Sequence, residues 1–384
     1  MRFFIITLFF LSIAFNREAI SLSLQEKLLF WDKPKKGANM FNKIIDRKDI
    51  QDAKNMNIKF IRLNIERLQT QKRDFLLGNA DDYKELVPED LNVLKQILDM
   101  FAEEGMPVIL SINTLPGCRY YENNNGVDDL RIWYLEKYQT QAAAFWSDVS
   151  REVKGHPAIV GFNILNRPMP EKLLSQKNEK YNEVKQAEIQ EILYNFYQNI
   201  ISAIRENDKN VKIIIDSSAE GNPSTFKELI KQNASNIMYS FHMYEPITYT
   251  DKRLNKNKSS YPGVINEEDW DKDNLRNHMQ TVKNFQINNK ILNSQIIVSG
   301  FGCNRYAHGI ENYLQDMTDL FSEFGWHTTF SYFRGDIDDD MDYEIGDKKL
   351  PWSYYQARDS GFNSRPIRDS ENKIFKIIKD YLDK

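Results

Sequence analysis

Residues 158–168 read Ala-Ile-Val-Gly-Phe-Asn-Ile-Leu-Asn-Arg-Pro, and the passage of this run from apolar to polar decides the architecture. Ile159, Val160, Phe162, Ile164 and Leu165 make the nearly continuous apolar pattern of a strand covered on both faces, as in a parallel sheet. Asn166 and Arg167 follow at its C-terminal end. Pro168 cannot extend the ladder and fixes the turn. Alternating α/β folds carry their chemistry at this end of their strands, so the turn at 166–168 is the centre of a candidate site.

Outward from this strand the same alternation repeats. Strand-like runs occupy 35–42, 58–64, 107–113, 211–216, 237–242, 295–301 and 326–332. Amphipathic stretches separate them at 44–56, 133–153, 181–205, 224–232, 271–287, 310–324 and 371–382, together with a helix that starts at Pro88 and stops at Gly105. The segment 248–268 is an insertion with few apolar residues. Eight strands and eight helices in strict alternation within 384 residues predict an α/β protein made of a single (β/α)8 TIM barrel. An open doubly wound sheet would want a glycine-rich phosphate loop after its first strand, and none follows here.

Composition narrows the function classes. The chain is 41% hydrophobic and 12% aromatic, ample for a packed core, and its net charge of −4 offers no electrostatic footprint for nucleic acid. Arg2 precedes an uncharged apolar run, 3–15, too short to span a bilayer comfortably. It reads as a signal peptide over 1–21, which places the barrel, 22–384, outside the cell or in a periplasm with no stable membrane insertion. Two cysteines, Cys118 and Cys303, cannot make a disulfide framework, and the five histidines show no metal-ligand spacing. No metal, no cofactor and a monomer are expected.

In a barrel, the residues just past each strand converge on one mouth. Here they are Asn39, Phe41, Arg62, Asn64, Asn113, Asn166, Arg167, Asp216, His242, Tyr244, Phe301, Phe330 and Tyr332. Flat aromatic rings beside amides and hydroxyls suit the two sides of a sugar. The chain resembles the family 5 glycoside hydrolases, the cellulase-like retaining (β/α)8 enzymes. The match runs through Gly37-Ala38-Asn39, Ile61-Arg62-Leu63, 108–117, 161–168, His242-Met243-Tyr244-Glu245-Pro246 and 297–306. The resemblance implies a carbohydrate partner, a poly- or oligosaccharide, with Asn39, Arg62, Asn113, Asn166, His242, Tyr244 and Phe330 as its binding shell. Within that shell Asn113 stands where the family has a histidine, and Phe330 where it commonly has a tryptophan.

The same resemblance implies two catalytic glutamates, an acid/base in Asn-Glu-Pro on the fourth strand and a nucleophile in Gly-Glu-Phe-Gly on the seventh. This chain reads Asn166-Arg167-Pro168 and Ser299-Gly300-Phe301-Gly302. Retaining hydrolysis needs a carboxyl pair. An arginine neither donates nor takes a proton at neutral pH, and a glycine offers nothing. The main expectation is therefore a catalytically impaired barrel that binds a carbohydrate or another partner. A second is an active hydrolase of β-glucan or mannan type with relocated carboxylates, Asp216 being the fallback catalyst ahead of Glu220 and Glu245. A third is a structural or host-interaction module whose pocket is plugged by Arg167 paired to an acid such as Asp216 or Glu245. The acidic run from Asp336 to Glu344 has Met341 where a calcium loop needs glycine, so it reads as a solvated rim loop. Tyr120, Tyr121, Trp133, Tyr261 and Trp270 are candidates for rim or core.

Overall fold

The computed structural model describes residues 23–176, 183–256, 258–335, 339–360 and 366–384; the segment read as a signal peptide lies outside them. Eight parallel strands close into a barrel: β1 Lys36–Met40, β2 Ile61–Asn64, β3 Val108–Ser111, β4 Ile159–Asn163, β5 Ile213–Asp216, β6 Ile237–Met243, β7 Ile296–Phe301 and β8 His327–Phe330. Closure is made by β8 pairing with β1, Lys36 opposite Thr328 and Ala38 opposite Phe330. Helices including Pro88–Glu103, Glu136–Glu152, Glu183–Asn207, Lys272–Asn289, Ile310–Phe324 and Lys373–Asp383 form the outer layer. Pro88 does open its helix, and Gly105 ends it in the left-handed region with φ of 64°.

The expected strict alternation fails once. After β5, the segment read as a helix over 224–232 is a 3-10 turn, Pro223–Lys227, preceded by a tight turn at 218–221. Pro223 supplies no N–H, and the Asn222 side chain caps Ser224 instead, so the backbone closes locally. Phe226, edge-on to Phe241 and Phe285, does the covering together with the buried Leu229. The 248–268 insertion holds one-turn helices and a small hairpin, Gly263–Ile265 with Glu268–Trp270.

Side chains at every second position of a strand point into the barrel, and the sequence stacks them in two kinds of layer. Phe60, Ile109, Val160, Ile214, Met238 and Ile297 make an apolar cluster at the bottom, with Trp31 packed among them. Trp31 follows the short helix Leu24–Leu29, is 2% exposed, and donates its indole N–H to the Val160 carbonyl at 2.9 Å. Two residues further along the strands the interior turns polar: Arg62, Ser111, Asp216, Ser240 and Ser299 are all buried. The apolar plug is thus a dry base on which a polar layer stands.

Trp31→Ala would open that base and leave the Val160 carbonyl without its donor. The expected loss is about 3–5 kcal/mol, read as a lower urea midpoint with an unchanged slope. A change below about 0.5 kcal/mol, the size of an ordinary surface substitution, would show that the plug is ornamental.

Candidate active site

Asp216, at the end of β5, is fully buried and fully used. Its Oδ2 accepts from His242 Nε2 at 3.0 Å and from the Arg167 backbone N–H at 2.9 Å, and its Oδ1 accepts from Asn163 Nδ2 at 3.1 Å. Burial opposes its charge, but the His242 hydrogen bond and the nearby Arg62 cation hold the carboxyl down to about 2. Burial pushes His242 the other way, down to about 4, against the pull of Asp216. At neutral pH the pair is an ionised carboxylate beside a neutral imidazole. Asp216 positions the β4 turn and does not reach the cavity, so the expectation that it could serve as a replacement catalyst is not met.

Arg62 lies flat in the same layer, 4% exposed. Its guanidinium donates to Asn39 Oδ1 at 3.0 Å and to the side-chain oxygens of Asn163 and Asn166. Asn39 in turn donates to the Ser299 carbonyl at 3.0 Å. Three of the predicted binding residues, Asn39, Arg62 and His242, are therefore the floor of the site. Asn113 and Asn64 bond to one another at the ends of β3 and β2.

Above the floor is a cavity of about 440 Å³ lined by Asn113, Asn166, Arg167 and Tyr244 of the predicted set, with Phe41, Tyr120, Tyr121 and Tyr332 as its rings. Phe330 is not among them. It is 2% exposed and packed into the main core, because the chain turns after β8 so that Tyr332, two residues on, faces the mouth. Trp133 and Tyr261 are core and Trp270 packs against it from the hairpin, whereas Tyr120 and Tyr121 line the cavity. The open cavity also contradicts the plugged-pocket expectation: Arg167 pairs neither with Asp216 nor with Glu245 through its side chain.

Arg167 pairs instead with Glu220, and its guanidinium lies 5.9 Å from the Tyr244 ring centroid. Both partners are held in unusual backbone. Arg167, Ala219 and Glu220 have φ of 54°, 50° and 60°, the left-handed region that costs a side-chain-bearing residue roughly 1 kcal/mol or more each. No sequence signal marked this pair.

Gly300 explains the opposite wall. A Cβ built there would overlap the Tyr244 hydroxyl and come within 2.8 Å of His242 Nδ1. Tyr244 holds its place by a 2.7 Å hydrogen bond with Ser331. The volume that a side chain at 300 would need is occupied.

The cellulase model of glycosyl hydrolase family 5 matches residues 25–330. The chain belongs to glycosyl hydrolase family 5. A beta-xylosidase of Phanerodontia chrysosporium is 23% identical over 197 residues, covering 50% of this chain and 37% of that protein. Endoglucanase C of Acetivibrio thermocellus is 20% identical over 266 residues, 67% of this chain and 69% of the other. Among solved structures, endoglucanase Cel5A of Thermotoga maritima superposes with a TM-score of 0.60 at 16% identity over 80% of this chain and 90% of its own. The clostridial cellulose synthase subunit Z of Clostridioides difficile gives 0.61 at 16% identity over 90% and 99%. At these identities the structural likeness establishes the barrel.

Other acids of this family 5 chain are structural. Glu245 accepts from Asn222 Nδ2 at 2.9 Å and from the Ile247 N–H, away from the cavity. In the acidic run, 336–338 lie outside the described residues. The rest is no solvated loop: Asp339 pairs with Arg305, Asp342 with Arg368, and Glu344 with Arg334, all three acids buried. Arginines distant in sequence turn these acids inward, which local alternation could not reveal. Among the described residues no group of metal-ligating side chains gathers, both cysteines are free and buried, and no helix is long and apolar enough to cross a membrane.

Two outcomes follow from this geometry. The His242 imidazole, followed by NMR, should titrate with a midpoint near 4. Its contribution to stability is full above its unfolded value of about 6.5 and is lost as pH falls through 4; a midpoint above 6 would refute the neutral assignment. Gly300→Ala should cost about 1–3 kcal/mol through overpacking. In a Tyr244→Phe background, where the hydroxyl is gone, the cost should fall, with a coupling of at least about 0.5 kcal/mol in a double-mutant cycle.

Proposed function

We propose that this family 5 barrel binds a saccharide in its cavity without cleaving it by the two-carboxylate route, and that the chain is exported by its N-terminal apolar run. The observation that carries the reading is the Tyr244 hydroxyl standing in the space of any side chain at Gly300. Across the mouth, the turn position of β4 carries Arg167, a permanent cation. Glycosidic cleavage with retention needs two carboxyls on opposite sides of the bond, and neither position can provide one. What persists is a cavity of about 440 Å³ with aromatic and amide lining, the composition that holds sugar rings.

One observation favours a different reading, hydrolysis with a relocated acid. Burial pushes the Glu66 carboxyl above the usual range despite its hydrogen bonds from Thr114 and Asn123, and Glu66 lines the cavity. A suitable second carboxylate is hard to find beside it. Glu220, Asp251 and Asp340 are ion-paired with Arg167, Arg253 and Lys252, and Glu122 is exposed at the rim.

Calorimetric titration with gluco-, manno- and xylo-oligosaccharides, run beside a hydrolysis assay, separates the two. Saturable binding with no turnover above background is expected. Turnover at an ordinary enzymatic rate, about 1–10³ s⁻¹, would overturn the proposal, and its loss in Glu66→Gln would establish the alternative.

A further inference from the structure

Five cationic side chains line the cavity, and four of them are ion-paired. Lys172 pairs with Asp128 at 2.6 Å, Lys252 with Asp340 at 2.5 Å and Arg253 with Asp251 at 2.7 Å. Arg167, just past β4, pairs with Glu220, and the fifth cation is Arg67, just past β2. Arg67 rests its guanidinium 5.0 Å from the Phe41 ring centroid, and no carboxylate among the described residues pairs with it. Its Nε is buried with no acceptor. Arg167 spends one nitrogen on Glu220, while its Nε is likewise buried without an acceptor.

A buried donor left unpaired is costly, and more so on a charged group. Here two such guanidiniums share one sugar-sized cavity, and one is fixed there by three strained residues. Backbone strain kept at a site is a reason to look for a function there. The acid next to Arg67 makes no ion pair with it. Glu66 turns its carboxyl to Thr114 and Asn123, and its burial favours the protonated form. Arg62, buried below, feels the Arg167 cation, while Glu220 beside Arg167 favours its charged form against the cost of burial.

We infer that the saccharide bound here is an acidic one, a pyranose carrying a carboxylate, with Arg67 and Arg167 as the residues that read that carboxylate. The inference rests on the saccharide-binding function proposed above and names the ligand class. A planar carboxylate offers two acceptors to a guanidinium fork, and the match is shorter and stronger than any hydroxyl can make. Phe41 stands against the Arg67 guanidinium, and Tyr332 and Tyr120 are among the rings that line the cavity. A neutral sugar would leave the cation at Arg67 unanswered.

The test compares cellotriose with the same trimer oxidised at C6 to its uronate, by calorimetry on the whole protein. The uronate is expected to bind about tenfold tighter or more, the worth of a charge-assisted hydrogen bond. That advantage should disappear in Arg67→Ala, return only in part in Arg67→Lys, and shrink as salt is raised. Equal affinity for the two trimers, or an advantage indifferent to Arg67→Ala and to salt, would overturn the acidic preference and leave saccharide binding standing. Binding of neither trimer, nor of neutral gluco-, manno- or xylo-oligosaccharides, would overturn saccharide binding itself and this inference with it.

Discussion

The Asp216 carboxylate is the junction on which the mouth of this barrel depends. It receives a side chain from β4, an imidazole from β6 and the backbone of the turn that presents Arg167. The phenol of Tyr197, on the outer helix Glu183–Asn207, donates to the carbonyl of the same residue at 2.8 Å. A charge taken out of water must be repaid by donors on every side, and here the repayment ties β4, β5, β6 and an outer helix to one point. The orientation of Arg167 is a product of that arrangement.

Charge throughout the upper half of the molecule follows the same rule. Arg334 reaches Asp49, Asp52 and Glu344, joining the helix Arg47–Asn55 to the loop after β8. Arg119 is almost wholly buried against Asp74 with two hydrogen bonds, at 2.9 and 2.7 Å. Such pairs add modestly to net stability, but each is costly to break from one side. They fix the long loops that surround the cavity, which would otherwise be the mobile part of a barrel. Arg62 and Arg205 lack an acid but donate to amide and backbone oxygens, whereas Arg67 rests on the Phe41 ring with no carboxylate paired to it among the described residues.

How far the sequence could be read depended on the distance between interacting residues. The strands announced themselves through local apolar runs, and the barrel followed from their number and alternation. The missing fifth helix was concealed because 224–232 has helix-compatible residues, whereas the proline and the capping asparagine before it decide for a 3-10 turn. At the site, residues such as Asn166, Arg167 and Tyr244 could be placed from strand ends alone. Phe330 was misplaced by a local change of direction, and Glu220 was read as a replacement acid and not as the partner of Arg167, because only two successive left-handed residues aim it there. Arg67 has no motif at all; its meaning lies in the absence of a partner, which only three dimensions display.

The packing of Tyr244 against Gly300 also bears on how this chain can change. A single substitution that puts a carboxylate at 300 meets an occupied volume, and a single substitution that empties the volume supplies no carboxylate. Placing a carboxylate on this wall therefore requires a change at 300 and a shift of Tyr244 together.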